Sequence, residues 1–433
     1  MRQSSAWTTY KERVRQLSTR LVEAQRPIRI RDSIKWDDAL ETEFVARKFK
    51  ELPEVGADYY QTARPLPYDP KQKIEEFESI RRDVDRELDS GDPLTAILLR
   101  NCGEYQQVVR MLMARGTADF YEHSRQLYGS PKDFFVGDTT TIRELGMLLY
   151  EILSGIPEDG LGTTYSRSLT AEQVVEQLND RYGRYFHETE VHVKLDDGIL
   201  SDAAAGADYV KIKRGVMFSE REIDLLEVHE GWVHVGTSLN GQRQRVAKFL
   251  AKGPPCTLAI QEGLAALVEI ITFTSTPARA KTLNNRILAC DKAEDGADFL
   301  DVFDFYRTEG YSERECYQHA VRVFRGGLIT GGAPFTKDIC YCKGFVMIYN
   351  FLRTAIRFGR PELIPFLFVG KLTLEDLPVL FRKHREGVVD APHFLPPQFR
   401  DLNGLAMWMA YSNFFNRVNL SSIQDHYREC LSG

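Results

Sequence analysis

Apolar residues recur at three- and four-residue spacing along most of this 433-residue chain. The spacing is clear early in the chain, in KERVRQLSTRLVEA, KIEEFESIRRDVDREL and PLTAILLRNCGEYQQVVRMLMARG. It returns later in TLAIQEGLAALVEIITF and DICYCKGFVMIYNFLRTAIRFG. Such spacing places the apolar side chains on one face of a helix. The pattern therefore predicts a mainly α (α+β) fold, beginning with a helical N-terminal region over residues 1–160.

Two short stretches favour strands instead. Val191, Val193 and Leu195 alternate with polar residues in TEVHVKLDD, and Val210 and Ile212 do so in DYVKIKRG. This two-residue period is typical of a half-buried β-strand. The small residues of SDAAAGA between the two stretches indicate a turn. We expect a small antiparallel sheet at this place.

The composition excludes several classes of protein. The formal net charge is −6 with 43% hydrophobic residues, which is typical of a globular protein and not of a disordered acidic chain or a basic nucleic-acid binder. No apolar run approaches the roughly 18 residues that span a bilayer. The seven cysteines have no disulfide-framework spacing, which favours reduced thiols. We therefore expect a cytoplasmic protein with no nucleic-acid and no membrane partner.

The hexapeptide His229-Glu230-Gly231-Trp232-Val233-His234 lies inside a predicted amphipathic helix. It resembles the zinc-binding HExxH pattern but has one more residue between the histidines. At about 100° per residue, five steps place the second histidine roughly 140° from the first, so a regular α-helix would not aim both rings at one ion. A π-bulge, or a helix loosened near Gly231, would bring them together.

A third candidate ligand, Glu262, lies in Gln261-Glu262-Gly263-Leu264-Ala265, within a strongly apolar predicted helix. A charged carboxylate there is costly unless it is paired or bound to a metal. Two histidines and a glutamate with one open position are typical of catalytic zinc, which favours one zinc ion. Glu269, seven residues on, could orient a ligand imidazole. The alternative is that these are hydrogen-bonded core residues.

A substrate carboxylate would need cationic partners, and arginine binds carboxylates through two hydrogen bonds. Arg322 and Arg325 lie in AVRVFRGG, and Lys337 follows in FTKD. Tyr341 could donate a hydrogen bond to an oxyanion or could be a core aromatic. The basic residues between 243 and 252 are more typical of a solvated helix face.

HEGWVH, QEGLA, RVFRGG and GGAPFTKD together resemble the family named for its QEGLA motif, the flavohaemoglobin expression-modulating proteins. That family is similar to the microtubule-associated tyrosine carboxypeptidases of animals. The resemblance implies a zinc metallopeptidase with a zincin-like core and a variant gluzincin-like site. His229 and His234 would be its histidine ligands, Glu262 its glutamate ligand and Glu230 its catalytic base. The zincin-like catalytic domain with C-terminal helices would span residues 161–433, with residues 1–160 packed on it.

The residues and the resemblance predict a zinc-dependent carboxypeptidase that removes a C-terminal residue, with an aromatic residue such as tyrosine as a candidate. Its partner would be a peptide or protein C-terminus. Binding to microtubules is not expected, because the chain has no long basic extension. Two alternatives stay open: a metallohydrolase of small amides, and a non-catalytic regulatory protein with a structural zinc site.

Overall fold

The computed structural model describes residues 2–157, 161, 165–187, 189–418, 423–424 and 427–428. The prediction of a mainly helical chain is confirmed. The first helices are α1 (Arg2–Gln25), α2 (Ile30–Ser33), α3 (Asp38–Ala46), α4 (Ala57–Ala63), α5 (Pro70–Glu87), α6 (Pro93–Met113), α7 (Ala118–Tyr128), α8 (Ile142–Ser154) and α9 (Ala171–Tyr185). The later helices are α10 (Glu220–Leu226), α11 (Gly236–Arg243), α12 (Leu258–Ile271), α13 (Pro277–Glu294), α14 (Phe299–Thr308), α15 (Glu313–Phe324), α16 (Cys340–Arg357), α17 (Leu377–Arg385), α18 (Pro397–Arg400) and α19 (Asn403–Phe415).

Several of these helices begin where the sequence supplies a cap. The side chain of Asp69 accepts a hydrogen bond from the Gln72 N–H at the start of α5. Asp92 caps α6 in the same way by accepting from the Leu94 N–H. Each cap is followed by proline, which has no N–H to leave unsatisfied in the first helical turn.

The five short strands are β1 (Leu169–Thr170), β2 (His192–Asp196), β3 (Ala203–Ala205), β4 (Tyr209–Lys213) and β5 (Met217–Phe218). β1 pairs with β5, and the other three form a sheet in the order β2-β4-β3. The predicted antiparallel pairing of the two apolar stretches is wrong, because β2 and β4 are parallel. The alanine segment that we interpreted as a turn is strand β3, which pairs antiparallel with β4. β4 therefore lies between β2 and β3 and runs parallel to β2.

The largest hydrophobic core joins the early helices to the late ones. It includes Val14 and Leu98 from the N-terminal region and Leu264, Leu352 and Met409 from the remainder. A second cluster lies between α9 and the three-stranded sheet and includes Tyr182 and Val210. The π-helical segment described below contributes Val228 and Val233 to the first cluster and Val235 to the second. It therefore lies where the two cores meet.

Helices α12 and α16 cross at a glycine contact. A Cβ atom added to Gly263 would lie 2.0 Å from the carbonyl carbon of Gly344, and one added to Gly344 would lie 1.7 Å from the carbonyl oxygen of Ala259. These distances are far below van der Waals contact, so the two backbones touch only because both residues lack a side chain. The contact holds the QEGLA segment against the first half of α16.

Among the described residues, no helix is long and apolar enough to cross a membrane. Six of the seven cysteines lie in the described residues, and all six carry free thiols. They are Cys102, Cys256, Cys290, Cys316, Cys340 and Cys342. Cys430 lies outside the described residues.

Candidate metal centre

The helix that carries both histidines changes its winding at the motif. Ser219 caps it, and α10 passes into a π-helical segment, Glu227–Val235, which continues as α11. This is the kind of distortion that would bring the two histidines together. Hydrogen bonds in a π-helix join residues five apart, so His229 and His234 come to the same side.

Tyr182 on α9 packs against the middle of the π-helical segment. A Cβ atom at Gly231 would lie 2.2 Å from Cε1 of the Tyr182 ring, so only glycine fits there. The Tyr182 hydroxyl donates a hydrogen bond to the carbonyl oxygen of Leu226 at 3.0 Å, at the junction between α10 and the π-helical segment. Tyr182 therefore supports the backbone where the winding changes.

His229, His234 and Glu262 converge on one point. The Nε2 atoms of the two histidines are 3.2 Å apart. Oε2 of Glu262 lies 3.7 Å from Nε2 of His229 and 3.5 Å from Nε2 of His234. Ligand atoms held about 2.0–2.1 Å from one tetrahedral ion are separated by roughly 3.4 Å. The three atoms therefore have the spacing of a metal-ligand set.

The charge of this cluster also fits a bound cation. Oε2 of Glu262 is buried and has no hydrogen-bond partner. Burial by itself raises the pKa of Glu262, but the His229 and His234 imidazoles hold it well below its usual range. Burial lowers the pKa of His229, yet the Glu262 and Glu269 carboxylates raise it to about 9. The cluster therefore favours a positive charge among its ligand atoms, which a metal ion would supply.

A second layer of polar groups orients His229. Its Nδ1 atom lies 2.6 Å from Oε1 of Glu269, the residue that the sequence suggested for this place. The guanidinium of Arg279 donates to the same oxygen at 3.0 Å. Burial raises the pKa of Glu269, but Arg279 and His229 together lower it to about 2. Arg279 was not predicted from the sequence. A carboxylate in an apolar helix indicates that it has a partner, but the sequence does not show which residue that partner is.

Glu230 connects the motif helix to the sheet. Its Oε2 atom accepts a hydrogen bond from the backbone N–H of Ala205 at 2.7 Å. Ala205 ends β3, which lies at one edge of the three-stranded sheet. The sheet therefore fixes the glutamate next to the histidines, and the outer edge of β3 lies beside Glu230.

Lys371 links the two helices that carry the ligands. Its ammonium group donates to Oε1 of Gln261 at 2.6 Å, to Oγ1 of Thr237 at 2.8 Å and to the carbonyl oxygen of His234 at 3.3 Å. Burial lowers the pKa of Lys371 to about 7, and the charge of Lys252 acts in the same direction. Lys371 lies far from both motifs in the sequence and was not predicted.

The predicted substrate-binding cations lie in one buried cluster. Arg322 donates to both oxygens of Asp338, at 2.6 and 3.1 Å. The ammonium of Lys337 lies 3.7 Å from Asp338 and 5.9 Å from the centre of the Tyr341 ring. Burial raises the pKa of the Tyr341 hydroxyl, and so does the charge of Glu262. Arg322 is therefore held in an ion pair inside the protein.

Two further guanidinium groups of this cluster have no ion-pair partner among the described residues. Arg325 is 7% exposed and Arg286 is 9% exposed, and the Nε atom of each has no hydrogen-bond partner. Arg286 lies 4.7 Å from the centre of the Tyr341 ring. Burial lowers the pKa of Arg325 to about 10. The cluster therefore has more buried positive than negative charge, and Arg286 was not predicted from the sequence.

The basic stretch between the two motifs includes Arg245, whose side chain is 80% exposed and which pairs with Asp390 at 2.6 Å. Arg245 is therefore solvated, as expected, but it follows the end of α11 and does not lie on a helix face.

A sequence model of the microtubule-associated tyrosine carboxypeptidase family matches residues 42–417. The match includes both motif helices, the buried cationic cluster and most of the N-terminal helices. No curated protein matches the chain. Because the match extends over most of the sequence, the chain belongs to the microtubule-associated tyrosine carboxypeptidase family, which implies a carboxypeptidase-type activity.

Proposed function

We propose that this protein is a zinc-dependent carboxypeptidase with a zincin-like core. The observation that carries the proposal is the triangle of His229 Nε2, His234 Nε2 and Glu262 Oε2, whose sides are 3.2, 3.5 and 3.7 Å. Two imidazoles and one carboxylate are a typical catalytic zinc set, whereas structural zinc sites favour several cysteines. None of the described cysteines belongs to this cluster.

His229, His234 and Glu262 would hold the zinc ion, which when bound would acidify a water molecule and polarise the scissile carbonyl. Glu269 keeps His229 in the tautomer whose Nε2 lone pair faces the site, since Nδ1 carries the proton that is shared with Glu269. Lys371 holds the helix of Glu262 against that of His234. These contacts keep the ligand atoms in place before substrate arrives.

Glu230 is the proposed general base. Its Oε2 atom is held by the Ala205 N–H, which leaves Oε1 to take the proton of the attacking water. The same carboxyl group then delivers that proton to the nitrogen of the leaving amino acid. The edge of β3 beside it would pair with an extended peptide backbone through groups other than the Ala205 N–H.

The buried cations supply the proposed recognition of the substrate C-terminus. Arg286, Arg325 and Lys337 are nearly enclosed, and Asp338 is already paired with Arg322. A buried cation without a partner is costly, so a terminal carboxylate that enters the cluster is bound favourably. Tyr341 lies against both Arg286 and Lys337, and its hydroxyl would donate a hydrogen bond to the oxyanion. An aromatic terminal residue, with tyrosine first, is the substrate to test.

The experiment compares peptides that have a free or an amidated C-terminus, using purified zinc-loaded protein and mass spectrometry. We expect loss of one terminal residue from the free peptides and no cleavage of the amidated ones. Glu230→Gln should abolish cleavage, by at least about a hundredfold, while zinc content and thermal stability stay unchanged. The matched control is Glu227→Gln, which removes a glutamate that pairs with Arg181 in the same helix segment.

The other results discriminate between the alternatives. Equal cleavage of free and amidated peptides would contradict the exopeptidase assignment, and cleavage by Glu230→Gln would contradict the general-base assignment. Stoichiometric zinc without any hydrolysis would favour the regulatory protein, and hydrolysis of small amides alone would favour the metallohydrolase. The expectation against microtubule binding stays a prediction.

A further inference from the structure

Helix α19 exposes an entirely apolar face. Of its residues, Leu405 and Met409 are buried against the protein. The opposite face carries large apolar side chains that are 40 to 56% exposed, namely Met407, Trp408, Tyr411, Phe414 and Phe415. Large apolar side chains on a helix normally face the protein interior. A contiguous exposed patch of this kind marks an interaction surface.

The apolar face continues onto the second half of α16. The side-chain amide of Asn413 donates to the carbonyl oxygen of Arg353 at 3.2 Å, which joins the two helices. The Tyr349 ring lies 6.2 Å from the Trp408 ring, and the Arg353 guanidinium lies 5.4 Å from the Tyr349 ring. One helical turn further on, Arg357 lies over the ring of Phe358. Aromatic rings and arginines therefore alternate across one surface.

The charged side chains that helices α16 and α19 carry are all basic. Helices α16 and α19 contain no Asp or Glu, although the whole chain has a net charge of −6. Arg353 and Arg357 lie on the part of α16 next to α19, and Arg417 follows α19 and is exposed. An occupant of this surface should therefore be anionic. A second copy of the chain would bring like charges together, which disfavours self-association.

We propose that this aromatic–arginine surface, made of Tyr349, Arg353, Arg357, Trp408, Tyr411, Phe414, Phe415 and Arg417, docks on the anionic surface of a lipid bilayer. Tryptophan, tyrosine and arginine side chains suit the headgroup level of a membrane, where one end of the side chain is apolar and the other polar. The surface is a protruding helix face, which a bilayer accepts without a complementary groove. A protein bound in this way lies on the membrane surface and does not span the bilayer. It goes beyond the expectation of no membrane partner, which considered only membrane-spanning segments.

Co-sedimentation of the full chain with vesicles tests the proposal. We expect binding to phosphatidylcholine vesicles that contain about 30% phosphatidylserine, and binding that weakens as salt is added. The double variant Arg357→Gln, Arg417→Gln should weaken partitioning about 30-fold, since each basic residue near such a surface contributes about 1 kcal/mol. The double variant Trp408→Ser, Phe414→Ser should weaken it at least roughly tenfold.

The matched control is Met147→Ser, Leu148→Ser, which removes two apolar side chains of similar exposure from α8. It should bind vesicles as the unchanged chain does. Equal binding to neutral and anionic vesicles would overturn the proposal, as would no binding. A concentration-dependent dimer that the double variant Trp408→Ser, Phe414→Ser dissociates would also overturn it. Salt-sensitive binding to an acidic polypeptide, without binding to vesicles, would do the same. Circular dichroism verifies that each variant is folded, and a variant that is unfolded is replaced by its single substitutions. Peptidase activity has no part in these readouts, so the proposal stands or falls separately from the proposed function.

Discussion

The candidate ligand His229 is fixed by a chain of polar contacts that runs outward from the proposed metal site. Its Nδ1 atom faces Glu269, and Glu269 is in turn bound by Arg279 and by the Ser275 hydroxyl. Glu269 is almost fully buried, so its charge depends on these partners. The imidazole therefore cannot rotate without losing its hydrogen bond to a buried carboxylate.

Glu269→Gln should weaken zinc binding by about 10- to 100-fold, because the amide orients the imidazole without raising its basicity. Competition with a fluorescent chelator measures the dissociation constant. Glu294→Gln is the control, since Glu294 accepts from Ser130 and lies outside this chain of contacts. An unchanged affinity in Glu269→Gln would mean that the carboxylate has only a structural role.

Residue chemistry explains which parts of the site could be predicted. Histidine and glutamate inside an apolar helix are conspicuous because their burial is costly without a partner, and so His229, His234, Glu262 and Glu269 were identified. Arginine and lysine are common on helix surfaces. Nothing in the local sequence therefore distinguishes Arg279, Arg286 and Lys371 from solvated residues. Their burial follows from how separate helices pack, which local spacing does not encode.

At the scale of elements, the crossing of α12 and α16 holds the cationic cluster next to the candidate metal ligands. Gly263 and Gly344 allow the crossing, and Tyr341 lies in the first turn of α16. The packing explains the glycine that follows Glu262 in the QEGLA sequence. A side chain at that position would push the helix of Tyr341 away from Glu262.

Gly263→Ala should destabilise the protein by roughly 1–3 kcal/mol and lower activity, because the added methyl group overlaps the α16 backbone. Gly103→Ala in α6 is the matched control. A Cβ atom there meets no atom within 4 Å, and alanine favours a helix over glycine by about 1 kcal/mol. Denaturation in urea measures the free energy of unfolding of both variants. If the two variants had equal stability, the glycine contact would not be required.

The sheet shows where prediction of elements from sequence fails. The apolar alternation correctly located β2 and β4. Alanine has a low intrinsic preference for strands, so the segment of β3 looked like a turn. The pairing of Ala203–Ala205 with β4 outweighs that preference, and this pairing is a tertiary effect. Because β3 was not recognised as a strand, the direction of β2 relative to β4 could not be inferred.

At the scale of the whole molecule, the N-terminal helices are tied to the rest of the chain by polar and aromatic contacts. Arg100 on α6 binds both oxygens of Asp376, at 2.8 and 2.7 Å. The Tyr60 hydroxyl accepts a hydrogen bond from the Gly326 N–H at 2.7 Å, directly after Arg325. The Trp36 ring packs on that of Phe299 at 5.6 Å. We propose that residues 1–160 and 161–433 fold as one unit.

Scanning calorimetry of the full chain should therefore give one unfolding transition whose calorimetric and van't Hoff enthalpies agree. A shortened chain that begins at residue 161 should lack a cooperative transition, because it exposes the apolar surface that the N-terminal helices cover. Two separate transitions in the full chain, or a stably folded shortened chain, would contradict the proposal and favour two independent domains.

The π-helical segment Glu227–Val235 has a consequence for how such sites are related to one another. In an α-helix the hydrogen-bond step is four residues, and in a π-helix it is five. HExxH on the first and HExxxH on the second are therefore the same arrangement, with one hydrogen-bond step between the histidines in each. The π-helical backbone around Gly231 accommodates the one additional residue. The sequence of the motif therefore differs, while the two histidines keep the same relative position. The number of hydrogen-bond steps between the two histidines is the same in both motifs. Candidate metal sites of this kind are therefore better compared by helical geometry than by the number of residues between the ligands.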